Sequence, residues 1–275
     1  ALNANTANSI TAVGYFALKA NTTGTKNVAL GYNALLTSTT ASNNTALGYD
    51  ALKLTTTGVE NVAVGSEALD ANTTGRENTS IGYVALGANT TGDYNSAVGR
   101  SALGSNTTAD KGTAVGYAAL ASNTTGGSNT AVGHKAAFSN TTGNTNTAIG
   151  YDSLYTNTQG DRNTAVGHQA LYTMNPSGNA DTYNVGVGFY ALYATTTGVK
   201  NTAVGGLALD ANTTASYNTA LGYATLGANT TGEYNTAIGN DALTANTTGS
   251  QNTTVGGYAL DANTTASYNT ALGYA

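Results

Sequence analysis

The groups from which this chain could build a reactive centre are fourteen carboxylates, nine basic side chains and two histidines, with no cysteine. Polysaccharide cleavage needs two carboxyl groups held about 5 to 9.5 Å apart. Here Asp70, Asp210, Asp241 and Asp261 stand alone, while Glu60 and Glu77 share one position of a repeating unit on adjacent repeats, about 4.8 Å apart and just short of that separation, and Glu67 falls at another position. His134 and His168 share one position of that unit, two repeats apart. At about 4.8 Å per stacked repeat they would lie about 10 Å apart, too far to share a metal that each nitrogen approaches to about 2 Å. There is no nucleophile motif, phosphate-binding loop or metal-ligand spacing. The expectation is therefore a protein without catalytic residues, metal or cofactor.

Two other sets of residues could serve recognition. Tyr15, Tyr32, Tyr49, Tyr83, Tyr117, Tyr151 and Tyr223 each follow a glycine, which makes them a candidate surface column for a cell-surface glycan or host receptor. The same position also accepts Ser66, Arg100, Gly206 and Asn240, so a stacked ladder covering the surface is the plainer reading. The N-T-T triplets match the glycosylation sequon, with Asn72, Asn89, Asn106, Asn123 and Asn140 as candidate glycan sites. Glycans about 4.8 Å apart on consecutive repeats would crowd one another, which favours a turn-forming ladder of Asn and Thr. Ordering of ice by outward threonines is an alternative for a Thr-rich chain, but adjacent threonines point to opposite sides and no regular T-x-T row is present.

The element that positions these residues is the repeat itself. Glycines recur every 17 residues from Gly14 to Gly167 and again from Gly188 to Gly273, giving sixteen copies of N-T-A-V-G-Y-x-A-L-x-A-N-T-T-G-x-x. The single break is an interval of 21 between Gly167 and Gly188, a four-residue insertion within 172–183 that carries Met174 and Pro176. Val, Ile or Leu precedes the glycine in all sixteen copies, and Leu stands four residues after it in fourteen of fifteen, with Ala137 the exception. These two columns, meaning equivalent positions in successive copies, are the predicted core. Charged residues make up only 8% of the chain and avoid the N-T-A-V-G, A-L and A-N-T-T-G columns, so those are expected to be packed or pressed against neighbouring chains.

A 17-residue unit is too short for a helix pair. It fits one coil of a parallel β-solenoid, an all-β fold, with a strand at N-T-A-V-G, a second near x-A-L-x-A and a turn at N-T-T-G. Sixteen coils would extend about 75 Å. Glycine in the turn is expected to supply positive φ, and the asparagines to form amide ladders. Continuous Ala rows (Ala12, Ala29, Ala46; Ala17, Ala34, Ala51) allow close approach of chains side by side, so a homotrimer is expected.

The segment A-V-G-Y-x-A-L-x-A resembles the S-x-A-I-G-x-x-A-x-A repeat of trimeric autotransporter adhesin heads, and is similar to the repeats of bacteriophage tail-fibre shafts. The resemblance runs through residues 1–275 as one repetitive segment of a longer fibre, although the unit here is three residues longer than the adhesin repeat. It implies a trimeric, structural and adhesive fibre, extracellular on a virion or cell surface, with itself as main partner. Ice-binding and polysaccharide-cleaving solenoids are the alternatives. The net charge of −5 with scattered basic residues excludes a nucleic-acid surface, and no apolar run reaches the ~20 residues that span a bilayer.

Overall fold

A computed structural model describes residues 5–178 and 180–274. The chain is all-β, a parallel β-solenoid, and it divides into two compact units, 1–132 and 133–275. Among the described residues each unit carries eight three-residue strands, one per coil: Thr11–Val13 through Thr130–Val132 in the first, Thr147–Ile149 through Thr270–Leu272 in the second. Within a unit, each strand pairs in parallel with the next in sequence, like residue opposite like, as in Ala29↔Ala46 and Ala203↔Ala220. The pairing stays in register across the insertion, with Thr164 opposite Val185.

The second strand expected near x-A-L-x-A does not form. That segment runs through turns in which the Leu and the residue two before it take left-handed φ, as in Leu35 (51°) and Asn33 (55°), with a third such residue before each Asn, as in Glu60 (60°). Alternating hand turns successive N–H and C=O groups along the stacking direction. Each coil therefore bonds to the next without being a strand: Leu35 N–H donates to Ala51 O (3.1 Å) and Thr56 N–H to Thr73 O (3.0 Å). A left-handed L-residue costs about 1–2 kcal/mol, so these coils hold a conformation that only stacking on neighbours repays.

The interior also differs from expectation. The Leu column is buried as predicted, with Leu35, Leu52 and Leu86 at 0% exposure, but the aliphatic before the glycine faces out: Leu30 is 43% exposed, Leu47 41% and Ile81 40%. Side chains alternate along the strand T-A-V, so sending Val out brings Ala in. Room decides the choice. A Cβ added at Gly186, which occupies the Ala position of its strand, would already lie 3.4 Å from Leu171 Cγ and 3.1 Å from the Ala191 carbonyl oxygen. Both Ala rows are consequently interior (Ala29, Ala46, Ala34 and Ala51 are all at 0%), and they cannot be the contact between chains.

Two asparagine columns complete the core. Asn61, at the start of its strand, donates from Nδ2 to Gly75 O (2.9 Å) and to Asn44 Oδ1 (3.2 Å), while its own Oδ1 accepts from Asn78 N–H (3.0 Å). In the turn, Asn89 Nδ2 donates to Asn72 Oδ1 (2.9 Å) and Gly92 O (3.1 Å). The first Thr of N-T-T adds a ladder of its own, Thr73 Oγ1 to Thr90 O at 3.0 Å. These bonds let amides sit in a dry interior without the cost of unpaired polar groups.

Positive φ belongs to the strand-end glycine rather than the turn glycine. Gly82 has φ 138°, and a Cβ on it would meet Gly99 O at 2.6 Å. The turn glycine lies outside the left-handed region, and Ala41, Ala109 and Ala215 take its place in other coils.

Candidate functional site

The predicted tyrosine column is on the surface: Tyr15, Tyr32, Tyr49, Tyr83, Tyr117, Tyr151 and Tyr223 are all exposed. The column is broken into short stacks. Tyr15, Tyr32 and Tyr49 stack with centroids 5.3 and 5.5 Å apart at interplanar angles of 14° and 9°. The Arg100 guanidinium fills the ring slot between Tyr83 and Tyr117, 5.6 and 5.9 Å from their centroids. In the second unit Tyr151 is sandwiched between His134 (5.0 Å) and His168 (5.2 Å), and Phe189 continues the stack 5.4 Å beyond His168. The intervening ring bars the two histidines from a common metal, and His134 Nδ1 lies 3.8 Å from Asp152 Oδ1. Rings stacked this way cover one another's faces and present edges, whereas a sugar docks on a face. The arrangement suits a ladder better than a glycan platform.

A second aromatic ladder escaped the sequence reading because it occupies only four coils. Phe138, Tyr155, Tyr172 and Tyr193, each just after the buried Leu or its equivalent, stack at 5.2–5.4 Å. Burial within this stack pushes the Tyr172 hydroxyl above its ordinary pKa, with the Asp152 charge adding to the shift. The signal that could have found it is three aromatics, 17, 17 and 21 residues apart, following Phe138 in one column.

The candidate glycan sites are inside. Asn72, Asn89, Asn106, Asn123 and Asn140 are at most 1% exposed. Their amide nitrogens bond to the carbonyl three residues on, such as Asn72 to Gly75 (2.9 Å) and Asn140 to Gly143 (2.9 Å). A glycan on any of them has no path to water while the coil is folded. The sequon here is the signature of a core ladder.

Charges lie mostly at the rim, with exceptions. Asp50 is buried and accepts from Lys53 Nζ (2.8 Å) and Asn33 Nδ2 (3.0 Å). Asp70 and Asp210, which follow the buried Leu, have pKa values raised chiefly by desolvation. Among the described residues there is no cavity and no cluster of three His, Asp or Glu that could hold a metal. Nor is any helix there long and apolar enough to cross a membrane.

A further surface feature is the outer face of each sheet. One row of it is Thr, Val or Ser (Thr45, Val62, Thr79, Ser96, Thr113), the other Val, Ile or Leu (Leu47, Val64, Ile81, Val98, Val115), and neither row holds a charged residue in any of the sixteen strands. No family model, no curated protein and no solved structure matches this chain.

Proposed function

We propose that this chain is a shaft segment of an extracellular fibre, of the phage tail-fibre or bacterial surface-fibre kind, working as a homotrimer on a virion or cell surface. The observation that carries the reading is the in-register stacking of near-identical coils, each bonded to the next through strand, turn and side-chain ladders. Such stacking makes a stiff spacer, and its stability is a sum over neighbouring coils, so length can be added without a new fold. Weak contacts repeated at each coil add by avidity, which is the adhesive part of the role. The test is immunogold electron microscopy with antibodies raised against the chain. Label along fibres projecting from virions or producing cells is the expected result, and label confined to the cell interior refutes the reading.

Ice binding is the second reading, favoured by the uncharged Thr-x-Val rows on the outer sheet face. Thermal hysteresis in solutions of the purified chain would identify it.

A further inference from the structure

We infer that the outer sheet face, with its paired rows of Thr and Val/Ile/Leu, is where a second copy of this chain docks. The inference rests on the self-association part of the reading above, and it replaces the Ala rows, which are interior, with a surface that is available.

Three observations converge on that face. The first is its composition. Val13, Leu30, Leu47, Ile81, Val98, Val115, Ile149 and Leu221 are each at least 37% exposed, although Leu, Ala and Asn suffice to fill the interior behind them. Strand propensity accounts for Val and Ile in this row, but not for Leu30, Leu47 and Leu221, nor for Thr being absent from it in every coil. The second is area. Three residues at about 3.3 Å and strands about 4.8 Å apart give about 50 Å² per strand, or about 400 Å² over the eight strands of one unit. About half of that is the mostly Thr row, so the face is an uncharged strip of mixed polarity, comparable in size to the largest patch on an ordinary chain, which is often functional.

The third is charge, and it selects the partner. Other exposed columns carry Arg76, Glu77, Arg100 and Lys111, but no charge enters either row of this face. When identical chains meet face to face in register, each column lies near its own copy, so any charge would oppose a like charge at close range. A glycan or an unrelated receptor imposes no such ban. A second copy also brings rows with the same coil spacing, so that contacts made at one coil recur at the next.

The test uses the full chain. Light scattering coupled to size exclusion should give a multiple of the 27.4 kDa chain mass across a wide dilution series. Val98→Lys with Val115→Lys, or Val204→Lys with Leu221→Lys, should lower the mass toward that of one chain while far-ultraviolet circular dichroism stays unchanged. Ser128→Lys and Gln251→Lys, at exposed positions whose column elsewhere holds Lys111 and Lys200, should leave the multimer intact. If the face variants misfold, single cysteines decide, since the chain has none of its own. Val115→Cys should form a disulfide-linked dimer under mild oxidation much faster than Ser128→Cys. A wild-type monomer overturns the inference, as does a multimer indifferent to the face variants or equal cross-linking at the two cysteines. A monomer with thermal hysteresis would give the face to ordered water instead. None of these outcomes touches the fibre location, which microscopy tests separately.

Discussion

At the scale of single residues, the coil is governed by what fits between stacked neighbours. The two glycines of the repeat look equivalent in sequence and are not. Gly82→Ala would force an L-residue to φ 138° with its Cβ 2.6 Å from a backbone oxygen. A Cβ on Gly75 would also press on Gly92 O (2.6 Å) and on Asn72 Oδ1, but its φ is not left-handed, and Ala41 and Ala109 at the equivalent place in other coils show that the turn can shift to admit a methyl. Urea denaturation should show a loss of several kcal/mol for the first, where backbone strain adds to the clash, and a smaller loss for the second. The turn asparagines offer a gain. Ser38 and Thr55 stand in that column, and their hydroxyls are buried without a partner. Ser38→Asn with Thr55→Asn would extend the amide ladder through both coils, and the unfolding free energy from urea titration should rise by about 1 kcal/mol for each bond completed. The ladders and the buried Leu were legible in the sequence, because both follow from strict recurrence of one residue type. The direction of Val13, Leu30 and their column was not. Period-2 alternation permits either T and V or A alone to face in, and the choice depends on how little room Leu171 and its equivalents leave, which no single repeat reveals.

At the scale of elements, one strand and a long turn make up each coil, and the turn brings ionisable groups against the stack. Asp70 and Asp210 sit there half-buried, with pKa values raised by desolvation. A carboxyl group whose folded pKa exceeds its unfolded value favours folding fully only below the unfolded value, and that contribution is lost as pH rises through the folded one. At neutral pH both residues therefore weaken the fold. Asp70→Asn with Asp210→Asn should raise the melting temperature at pH 7, and the advantage should vanish as pH falls below the carboxylate range of about 4. A constant difference at all pH values would remove desolvation as its cause. The second strand expected at x-A-L-x-A illustrates a limit of pattern reading. Leu and Ala at alternate spacing suggest a strand, but in this turn alternation of backbone hand, seen at Leu69 and Glu67, delivers the same coil-to-coil bonding.

At the scale of the whole molecule, near-identity of coils is both the source of stability and a hazard. A chain that repeats every 17 residues can pair a strand with the wrong neighbour, or set one copy beside another displaced by a coil, at almost no cost in contacts. The interval between Gly167 and Gly188 is the one place where such a slip is detected. There Met174 takes the place of a ladder asparagine and receives Asn184 Nδ2 at 3.7 Å from its sulfur. Thr182 Oγ1 donates to Asp161 O at 2.7 Å, and Arg162 pairs with Asp181. A chain that mispairs its own coils at this point would lose all three at once. The extra four residues thus act as an index mark on an otherwise unmarked scale. Excising them should leave the circular dichroism spectrum unchanged but slow refolding from urea and lower its yield, because mispaired coils are no longer penalised there. Refolding at the wild-type rate and yield would mean that coil alignment is fixed elsewhere.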